Sequence, residues 1–193
     1  MSAGAGRPAA FLDRDGTIVE DVGYLSALEQ MVLLPGAGAA IARLNAASVP
    51  VVVVSNQSGV ARGYFNEDFA RASGPHLQGL LAPFGAHLDG YYFCPTLPEG
   101  RPPYNVDSPD RKPGPGMLLR ARRELGVCLL GAWMVGDKCS DLETGRGLGV
   151  VPVLVRTGYG AETARHLPAD FAARGGRICA DLAQAAEWIV SVA

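Results

Sequence analysis

The chain has 193 residues, 48% of them hydrophobic and 19% charged, and this balance excludes intrinsic disorder, a coiled coil and a collagen-like repeat. Its formal net charge is −2 and it carries no basic block, which argues against a dedicated binder of nucleic acid or anionic membrane and favours a small-molecule partner. The length predicts one domain over residues 1–193, with residues 1–8 expected to be flexible.

Short apolar runs alternate with helical patterns along the chain. Buried strands are predicted at residues 9–12, 49–54, 88–93, 132–135, 150–155 and 177–179. Alternation of strand and helix is typical of right-handed βαβ units. The sequence therefore predicts an α/β fold, in which a mostly parallel sheet lies between helices on its two faces.

Three helical patterns stand out between and after these strands. One is predicted at 115–125, where a proline suits the first turn and a glycine follows the last. Another is predicted at 182–192, after an aspartate in a capping position. The third, at 66–81, contains Gly74 and Pro75 in its middle, and we expect these residues to kink or split the helix.

Acidic side chains follow two of the predicted strands. Asp13 and Asp15 come directly after the first strand, whereas Asp137 follows the fourth and Asp141 lies four residues further on. Because parallel strands end at the same edge of a sheet, these carboxylates should converge there, where they repel one another unless a hard cation is bound. The sequence therefore predicts a Mg²⁺ site, although solvated loop carboxylates remain an alternative for the pair Asp13 and Asp15 alone.

Polar and basic residues accompany the acidic ones. The run after the second predicted strand consists of Ser55, Asn56, Gln57 and Ser58. Its hydroxyl and amide groups suit phosphate oxygens, but an ordinary polar turn is an equal alternative. Lys112 and Lys138 are the only lysines among 17 basic residues, and each lies beside a candidate motif. A compact ammonium is a good partner for a phosphoryl group, with an ordinary surface lysine as the alternative.

Together these motifs resemble the haloacid dehalogenase (HAD) superfamily, whose phosphatases form an aspartyl-phosphate on a Rossmann-like sheet. The matching positions in chain order are Asp13, Asp15, Ser55, Lys112, Asp137 and Asp141. Within the superfamily, Phe-Leu-Asp-Arg-Asp-Gly-Thr, Ser-Asn-Gln-Ser-Gly-Val-Ala-Arg-Gly, Arg-Lys-Pro and Met-Val-Gly-Asp-Lys resemble the group of D,D-heptose 1,7-bisphosphate phosphatases and histidinol phosphatases. The stretch Asp-Val-Gly-Tyr at 21–24 favours the heptose branch.

The resemblance implies roles for individual residues in a phosphatase that acts on a small phosphorylated sugar and has a minimal cap. Asp13 would be the nucleophile and Asp15 the general acid and base, while Ser55 and Lys112 would stabilise the phosphoryl group. Mg²⁺ would be held by Asp13, the backbone carbonyl of Asp15 and Asp137. The implied substrate-binding residues are Asp21, Gly23, Tyr24, Asn56, Gln57, Ser58, Arg111 and Lys138.

One loop departs from this group, which usually binds structural zinc through Cys-x-His followed by Cys-x-Cys. The corresponding stretches here are Cys94-Pro95-Thr96 and Ser108-Pro109-Asp110. A single thiolate cannot close a tetrahedral site, so we expect no structural zinc. Residues 95–115 hold seven of the 14 prolines and are predicted to form a stiff, ordered loop. Besides this loop, only residues 26–34 are spare for covering a site.

Several alternatives remain open on the sequence. The same catalytic residues would serve a phosphatase for histidinol phosphate or another small phosphate ester, and the motifs are also similar to the 3′-phosphatase domain of polynucleotide kinase phosphatases. An inactive HAD-fold binding or regulatory module is a third possibility. No apolar run approaches the ~18 residues of a membrane span, and the four cysteines are scattered. We therefore expect a cytoplasmic monomer with reduced thiols.

Overall fold

In a computed structural model, residues 6–25 and 27–193 are described. The strands are β1 (Pro8–Leu12), β2 (Val51–Asn56), β3 (Gly90–Cys94), β4 (Cys128–Gly136), β5 (Val151–Val155) and β6 (Arg177–Cys179). They form one parallel sheet in the order β3-β2-β1-β4-β5-β6. The predicted parallel α/β architecture is therefore confirmed, and β1 lies between β2 and β4, so the three motif-bearing strand ends are neighbours.

Helices cover both faces of this sheet. They are α1 (Ala37–Ala46), α2 (Gly59–Arg62), α3 (Glu67–Leu81), α4 (Gly116–Leu125), α5 (Cys139–Thr144), α6 (Gly160–Arg165) and α7 (Leu182–Val192). Successive residues of β1 point to opposite faces: Ala10 and Leu12 join a core with α1, α3 and α7, whereas Ala9 and Phe11 join a core with α4. Among the residues described, no helix combines the length and apolar character needed to cross a bilayer.

Helix α3 corrects one expectation, because Pro75 lies inside a helix that runs without a break. The predicted split is wrong. The side chain of Asn66 caps the first turn by accepting from the amide N–H of Phe69 at 2.9 Å. A buried face of small residues and two leucines then packs on the sheet, and Gly74 lies against the ring of Tyr91 so closely that a β-carbon would sit 2.9 Å from it. Packing of this face outweighs the hydrogen bond that proline removes.

The remaining differences lie at the ends of elements. Strand β4 begins four residues earlier than predicted, because Gly131 adopts a left-handed φ of 79° and the pairing with β1 shifts register there. Of the segment 1–8 that was expected to be flexible, residues 1–5 lie outside the described residues, and Pro8 begins β1. Ser26, the first residue of the spare segment 26–34, also lies outside them.

The proline-rich loop 95–115 is held by backbone hydrogen bonds. Within it, the amide of Leu97 donates to the carbonyl of Tyr104 at 3.0 Å. The amide of Arg101 reaches out of the loop to the carbonyl of Ala61 in α2 at 2.6 Å. The loop thus packs beside the carboxyl end of β2, where it forms one wall of a cleft.

Candidate active site

A cleft of about 340 Å³ opens at the carboxyl ends of β1, β2 and β4. The predicted site residues that line it are Asp13, Asp15, Asp21, Gly23, Tyr24, Asn56, Gln57, Ser58, Arg111, Lys112, Lys138 and Asp141. Ser55, near the end of β2, and Asp137, directly after β4, are buried. The parallel sheet therefore brings together residues that are up to 128 positions apart, from Asp13 to Asp141.

An acidic cluster lies at the floor of the cleft. Asp13, Asp137 and Asp141 are buried, and each offers a carboxylate oxygen within 4.8 Å of the other two. Burial raises the pKa of Asp137 to about 7, although Lys138 opposes the shift, and burial also raises the pKa of Asp141 against the effect of Lys112. Three carboxylates packed this closely favour a bound cation or a proton.

The two oxygens of Asp137 have different surroundings. Oδ2 accepts a hydrogen bond from the amide of Tyr159 at 2.8 Å. Oδ1 is buried and accepts no hydrogen bond from the part of the chain that the structure describes, and the ammonium of Lys138 lies 3.5 Å from it. A buried carboxylate oxygen without a donor is costly unless another group binds it. This oxygen is therefore a fitting ligand for a hard divalent cation.

Lys112 is buried beside the acidic cluster. Its ammonium lies 2.7 Å from Asp13 Oδ1, 2.7 Å from Asp141 Oδ1 and 2.8 Å from the carbonyl oxygen of Val54. Burial acts to lower the pKa of Lys112, but Asp13 and Asp141 raise it above its ordinary value. The side chain of Asn56 fixes the backbone of Lys112, accepting from its N–H at 3.0 Å and donating to its carbonyl at 3.1 Å. The ammonium is thus charged and held in place, and the amide of Asn56 is engaged in holding it.

Asp15 also lines the cleft. Burial raises the pKa of Asp15, whereas Arg14 acts to lower it. Gln57 Nε2 donates to Asp15 Oδ2 at 3.1 Å and to Ser55 Oγ at 2.8 Å, so the amide joins two predicted catalytic residues. Arg14 is a residue that the sequence analysis missed, and its only signal was a charged residue between two motif aspartates.

Two glycines allow Asp137 to pack closely and were also missed. Gly16 and Gly158 have left-handed φ values of 81° and 53°, and a β-carbon at either position would overlap Oδ2 of Asp137. The hydroxyl of Thr157 donates to the carbonyl of Gly16 at 2.6 Å, which ties the two segments together. These turns set the position of the Asp137 carboxylate.

The rim of the cleft carries a polar pair and an aromatic pair. The ammonium of Lys138 lies 3.0 Å from Asp21 Oδ2, while Asp21 Oδ1 accepts from the amide of Gly23 at 2.8 Å. The ring of Tyr24 is 43% exposed and meets the ring of Tyr64 edge-on, with centroids 4.6 Å apart. The aromatic partner Tyr64 was not predicted. The rim thus offers both charge and an exposed aromatic surface.

In the proline-rich loop, Arg111 Nη1 donates to the carbonyl of Thr96 at 3.1 Å. Cys94 Sγ lies 3.2 Å from the hydroxyl of Thr96, and Asp110 pairs with Arg120 at 3.1 Å. Within residues 6–25 and 27–193, the three aspartates described above are the one group of three or more acidic, cysteine or histidine side chains placed to hold a metal. These hydrogen bonds and this ion pair hold the loop in place.

Comparisons with known proteins agree with this geometry. A family model described as HAD-hydrolase-like matches residues 110–185. The chain is 43% identical over 190 residues to the D-glycero-D-manno-heptose-1,7-bisphosphate 7-phosphatase of Thermosynechococcus vestitus, with 95% of each chain covered. It is 43% identical over 153 residues to the D-glycero-beta-D-manno-heptose-1,7-bisphosphate 7-phosphatase of Pasteurella multocida, with 79% of this chain and 83% of the relative covered.

A solved structure is similar along nearly the whole chain. It is the D,D-heptose 1,7-bisphosphate phosphatase of B. bronchiseptica, complexed with magnesium and phosphate. The TM-score is 0.84 at 35% sequence identity, with 96% of this chain and 99% of that chain covered. The similarity therefore includes the sheet, the flanking helices and the segments that form the cleft.

Proposed function

Because the chain belongs to the D-glycero-D-manno-heptose-1,7-bisphosphate 7-phosphatase family of HAD-like hydrolases, we propose that it hydrolyses D-glycero-D-manno-heptose 1,7-bisphosphate to the heptose 1-phosphate. The observation that carries the proposal is the buried cluster in which Asp13 lies 2.7 Å from the ammonium of Lys112 and within 4.8 Å of Asp137 and Asp141. The proposed enzyme is a cytoplasmic monomer that uses Mg²⁺, holds no structural zinc and has no nucleic-acid partner.

The acidic cluster fits Mg²⁺. Asp137 Oδ1 is buried without a hydrogen-bond donor, and Asp13 lies next to it, so we assign these two carboxylates and the backbone carbonyl of Asp15 as ligands. Asp141 is occupied by Lys112 Nζ and by the amide of Lys138 at 2.9 Å. When bound, Mg²⁺ offsets the repulsion between the carboxylates and the phosphate dianion.

In the first half of the reaction, a carboxylate oxygen of Asp13 attacks phosphorus as the bond from phosphorus to the sugar oxygen breaks. Asp15 gives its proton to that leaving oxygen, and the effect of burial on the pKa of Asp15 favours the protonated form that this step needs. Lys112, whose ammonium lies 2.7 Å from Asp13 Oδ1, and Ser55, near the end of β2, stabilise the charge on the phosphoryl oxygens.

In the second half, water attacks the phosphorus of the aspartyl-phosphate. Asp15, now ionised, accepts a proton from that water, and the bond from phosphorus to the oxygen of Asp13 breaks. The products are inorganic phosphate and the regenerated carboxylate of Asp13. One residue thus serves as acid and then as base, with the proton returned at the end of the cycle.

The rest of the cleft suits a bisphosphorylated sugar. Lys138 and Arg111 line it in addition to Lys112, so positive charge is available beyond the reacting phosphate. Within the described part of the chain, Arg111 donates one of its five N–H groups to the carbonyl of Thr96, which leaves its fork available for a distal phosphate. The exposed ring of Tyr24 offers a surface for the apolar face of a sugar.

The test measures phosphate release from heptose 1,7-bisphosphate by the parent protein and by Asp13→Asn, with Mg²⁺ and with EDTA. The amide of asparagine neither attacks phosphorus nor balances the charge of Mg²⁺, so turnover should be lost while the fold remains. Asp170→Asn makes the same change in an exposed carboxylate paired with Arg174 and should keep full activity. Turnover by Asp13→Asn above about a tenth of the parent rate would contradict the proposal, because loss of a nucleophile costs orders of magnitude.

A substrate panel separates the alternatives. Heptose 1,7-bisphosphate should give the highest kcat/KM, above histidinol phosphate, a sugar monophosphate and a 3′-phosphorylated oligonucleotide. A preference for histidinol phosphate would reassign the substrate without changing the chemistry. No turnover of any ester, including an aryl phosphate, would favour an inactive binding module.

A further inference from the structure

We infer that Arg14 is a positioning residue of this enzyme: it fixes the carboxyl group of Asp15 against an anchor formed by Ser73 in α3 and Tyr91 in β3. The inference rests on the proposed function, because Asp15 acts there as general acid and base. It concerns a residue that does not itself need to touch the reacting atoms.

Arg14 is among the largest side chains that are fully buried, with 1% of its surface exposed. A buried guanidinium is stable only if its five N–H groups find acceptors. Nε donates to Asp15 Oδ1 at 3.0 Å, and Nη2 donates to Asp15 Oδ2 at 2.9 Å and Gln57 Oε1 at 3.1 Å. Nη1 donates to Ser73 Oγ at 3.0 Å and to the hydroxyl of Tyr91 at 3.1 Å. All five groups are therefore used.

The far end of this network is a rigid anchor. The hydroxyl of Ser73 donates to the carbonyl of Ala70 at 2.7 Å, so in the contact of 2.6 Å between the two hydroxyls the proton comes from Tyr91. Both hydroxyl oxygens then keep a lone pair for Arg14. Gly74 packs against the ring of Tyr91 and restricts its position. The orientation of the guanidinium is thus set by two elements of the core.

The near end determines the orientation of Asp15. Arg14 binds both carboxylate oxygens of its chain neighbour through two N–H groups, and Gln57 Nε2 donates to the same carboxylate at 3.1 Å. The side chain of Asp15 keeps 22% of its surface exposed, which leaves one side of the carboxyl open to the cleft. A two-point contact fixes the plane of a carboxyl group, whereas a single contact fixes only one of its atoms. Arg14 therefore determines which way the proton donor faces.

The geometry distinguishes this role from simple charge compensation. A lysine would keep the positive charge but lacks the planar fork, so it cannot hold both oxygens of Asp15 and also reach Ser73 and Tyr91. If charge alone mattered, lysine would be an adequate substitute. If orientation matters, proton transfer to a poor leaving group should suffer selectively in the first half of the reaction, because an activated aryl phosphate departs without a proton. The second half, in which Asp15 is the base, is common to both esters, so the first half is compared through kcat/KM.

The experiment measures kcat and KM for heptose 1,7-bisphosphate and for p-nitrophenyl phosphate with the Mg²⁺-loaded parent, Arg14→Lys, Asp15→Asn and the double variant. Arg14→Lys should lower kcat/KM for the sugar ester by roughly 10- to 100-fold, part of the ~10² to 10⁴ that general acid–base catalysis contributes. The loss of kcat/KM on the aryl ester should be several times smaller. The double variant should be no slower than Asp15→Asn, because Arg14 acts through Asp15.

Two further variants keep the test decisive if Arg14→Lys folds poorly. Tyr91→Phe removes one acceptor of Arg14 but keeps the ring against Gly74, and it should show the same selective loss at smaller size. Arg174→Lys, an exposed arginine paired with Asp170, is the matched control and should leave both rates unchanged.

The outcomes separate this inference from the proposed function. Equal losses of kcat/KM on both esters in the Arg14 and Tyr91 variants, or a double variant with a lower kcat/KM than Asp15→Asn, would overturn the positioning role alone. An unchanged sugar-ester kcat/KM in those variants would overturn it as well. A parent that hydrolyses neither ester would contradict the proposed function. An Asp15→Asn variant that loses kcat/KM equally on both esters would remove the general-acid role of Asp15, and the positioning role of Arg14 with it, while the proposed hydrolysis would stand.

Discussion

Replacing Asp137 by asparagine should stabilise the metal-free protein while abolishing its activity. The reason is the burial that raises the pKa of Asp137 to about 7 from its ordinary value of 3.8. Because the folded pKa lies above the unfolded one, this carboxyl favours the folded state fully below pH 3.8, and that contribution is lost as the pH rises to 7. Above pH 7 the ionised group therefore destabilises the fold.

The size of the effect follows from the shift. A difference of about three pKa units at about 1.4 kcal/mol each gives an ionisation cost of about 4 kcal/mol at pH 8 and less than half of that at pH 5. Asparagine does not ionise and so avoids this cost. Its side-chain oxygen can still accept from the amide of Tyr159, and its NH₂ group takes the place of Oδ1, the oxygen that has no donor. We expect Asp137→Asn to be about 2 to 4 kcal/mol more stable at pH 8 in EDTA, which is roughly 5 to 15 °C in Tm.

The assay is thermal and urea unfolding of the parent and the variant at pH 5 and pH 8, with EDTA and with Mg²⁺. Mg²⁺ should raise the Tm of the parent by mass action and have little effect on the variant, because a proposed ligand is gone. Asp170→Asn, an exposed carboxylate, should behave like the parent in every condition. A variant no more stable than the parent at pH 8 in EDTA, or a difference as large at pH 5 as at pH 8, would refute the reasoning.

The remaining predictions concern the loop and the turns of the site. Arg111→Ala should lower kcat/KM for heptose 1,7-bisphosphate by roughly 10- to 100-fold, as for a charged hydrogen bond of about 1.5 to 3 kcal/mol, and should lower it much less for a monophosphate. Lys112→Ala should lower kcat on both substrates. Equal effects of Arg111→Ala on the two substrates would show that Arg111 does not bind the distal phosphate. Elemental analysis should find far less than one zinc per chain, since Cys94 is the one remaining ligand of the four expected, and a stoichiometric amount would contradict this. Gly158→Ala should lower Tm and Mg²⁺-dependent activity together, because its β-carbon overlaps Asp137; an unchanged Tm would show that the turn relaxes.

The sheet and the acidic cluster were predictable because their signals are local. Short apolar runs of three to six residues mark strands. In a parallel sheet the residues that follow strands meet at one edge, so the proximity of Asp13 and Asp137 could be predicted from the sequence alone. The predicted split of helix α3 was wrong because the sequence shows the local cost of Pro75 but not the packing of Gly74 on Tyr91, which is a contact between distant parts of the chain.

The residues that sequence reasoning missed depend on contacts across the fold. Arg14 meets acceptors 59 and 77 positions away, and nothing near it in sequence marks Ser73 or Tyr91 as partners. Asn56, a predicted substrate-binding residue, lines the cleft, but the sequence did not indicate that its side chain also holds the backbone of Lys112, 56 positions away. Residue type indicated the chemistry at these positions, but only the tertiary structure shows which neighbour uses each polar group.

The proline-rich loop is held near both of its ends by two adjacent residues at the end of β2, Asn56 and Gln57. Where the loop begins, the carbonyl of Cys94 accepts from the amide of Gln57 at 2.7 Å, and where it ends, the backbone of Lys112 is held by the side chain of Asn56. The catalytic ammonium therefore takes its position from β2 and not from the intervening residues. The segment between these two attachments is an exchangeable insert: its length, its metal content and its substrate contacts can diverge in evolution, or be redesigned, while the phosphoryl-transfer centre stays intact.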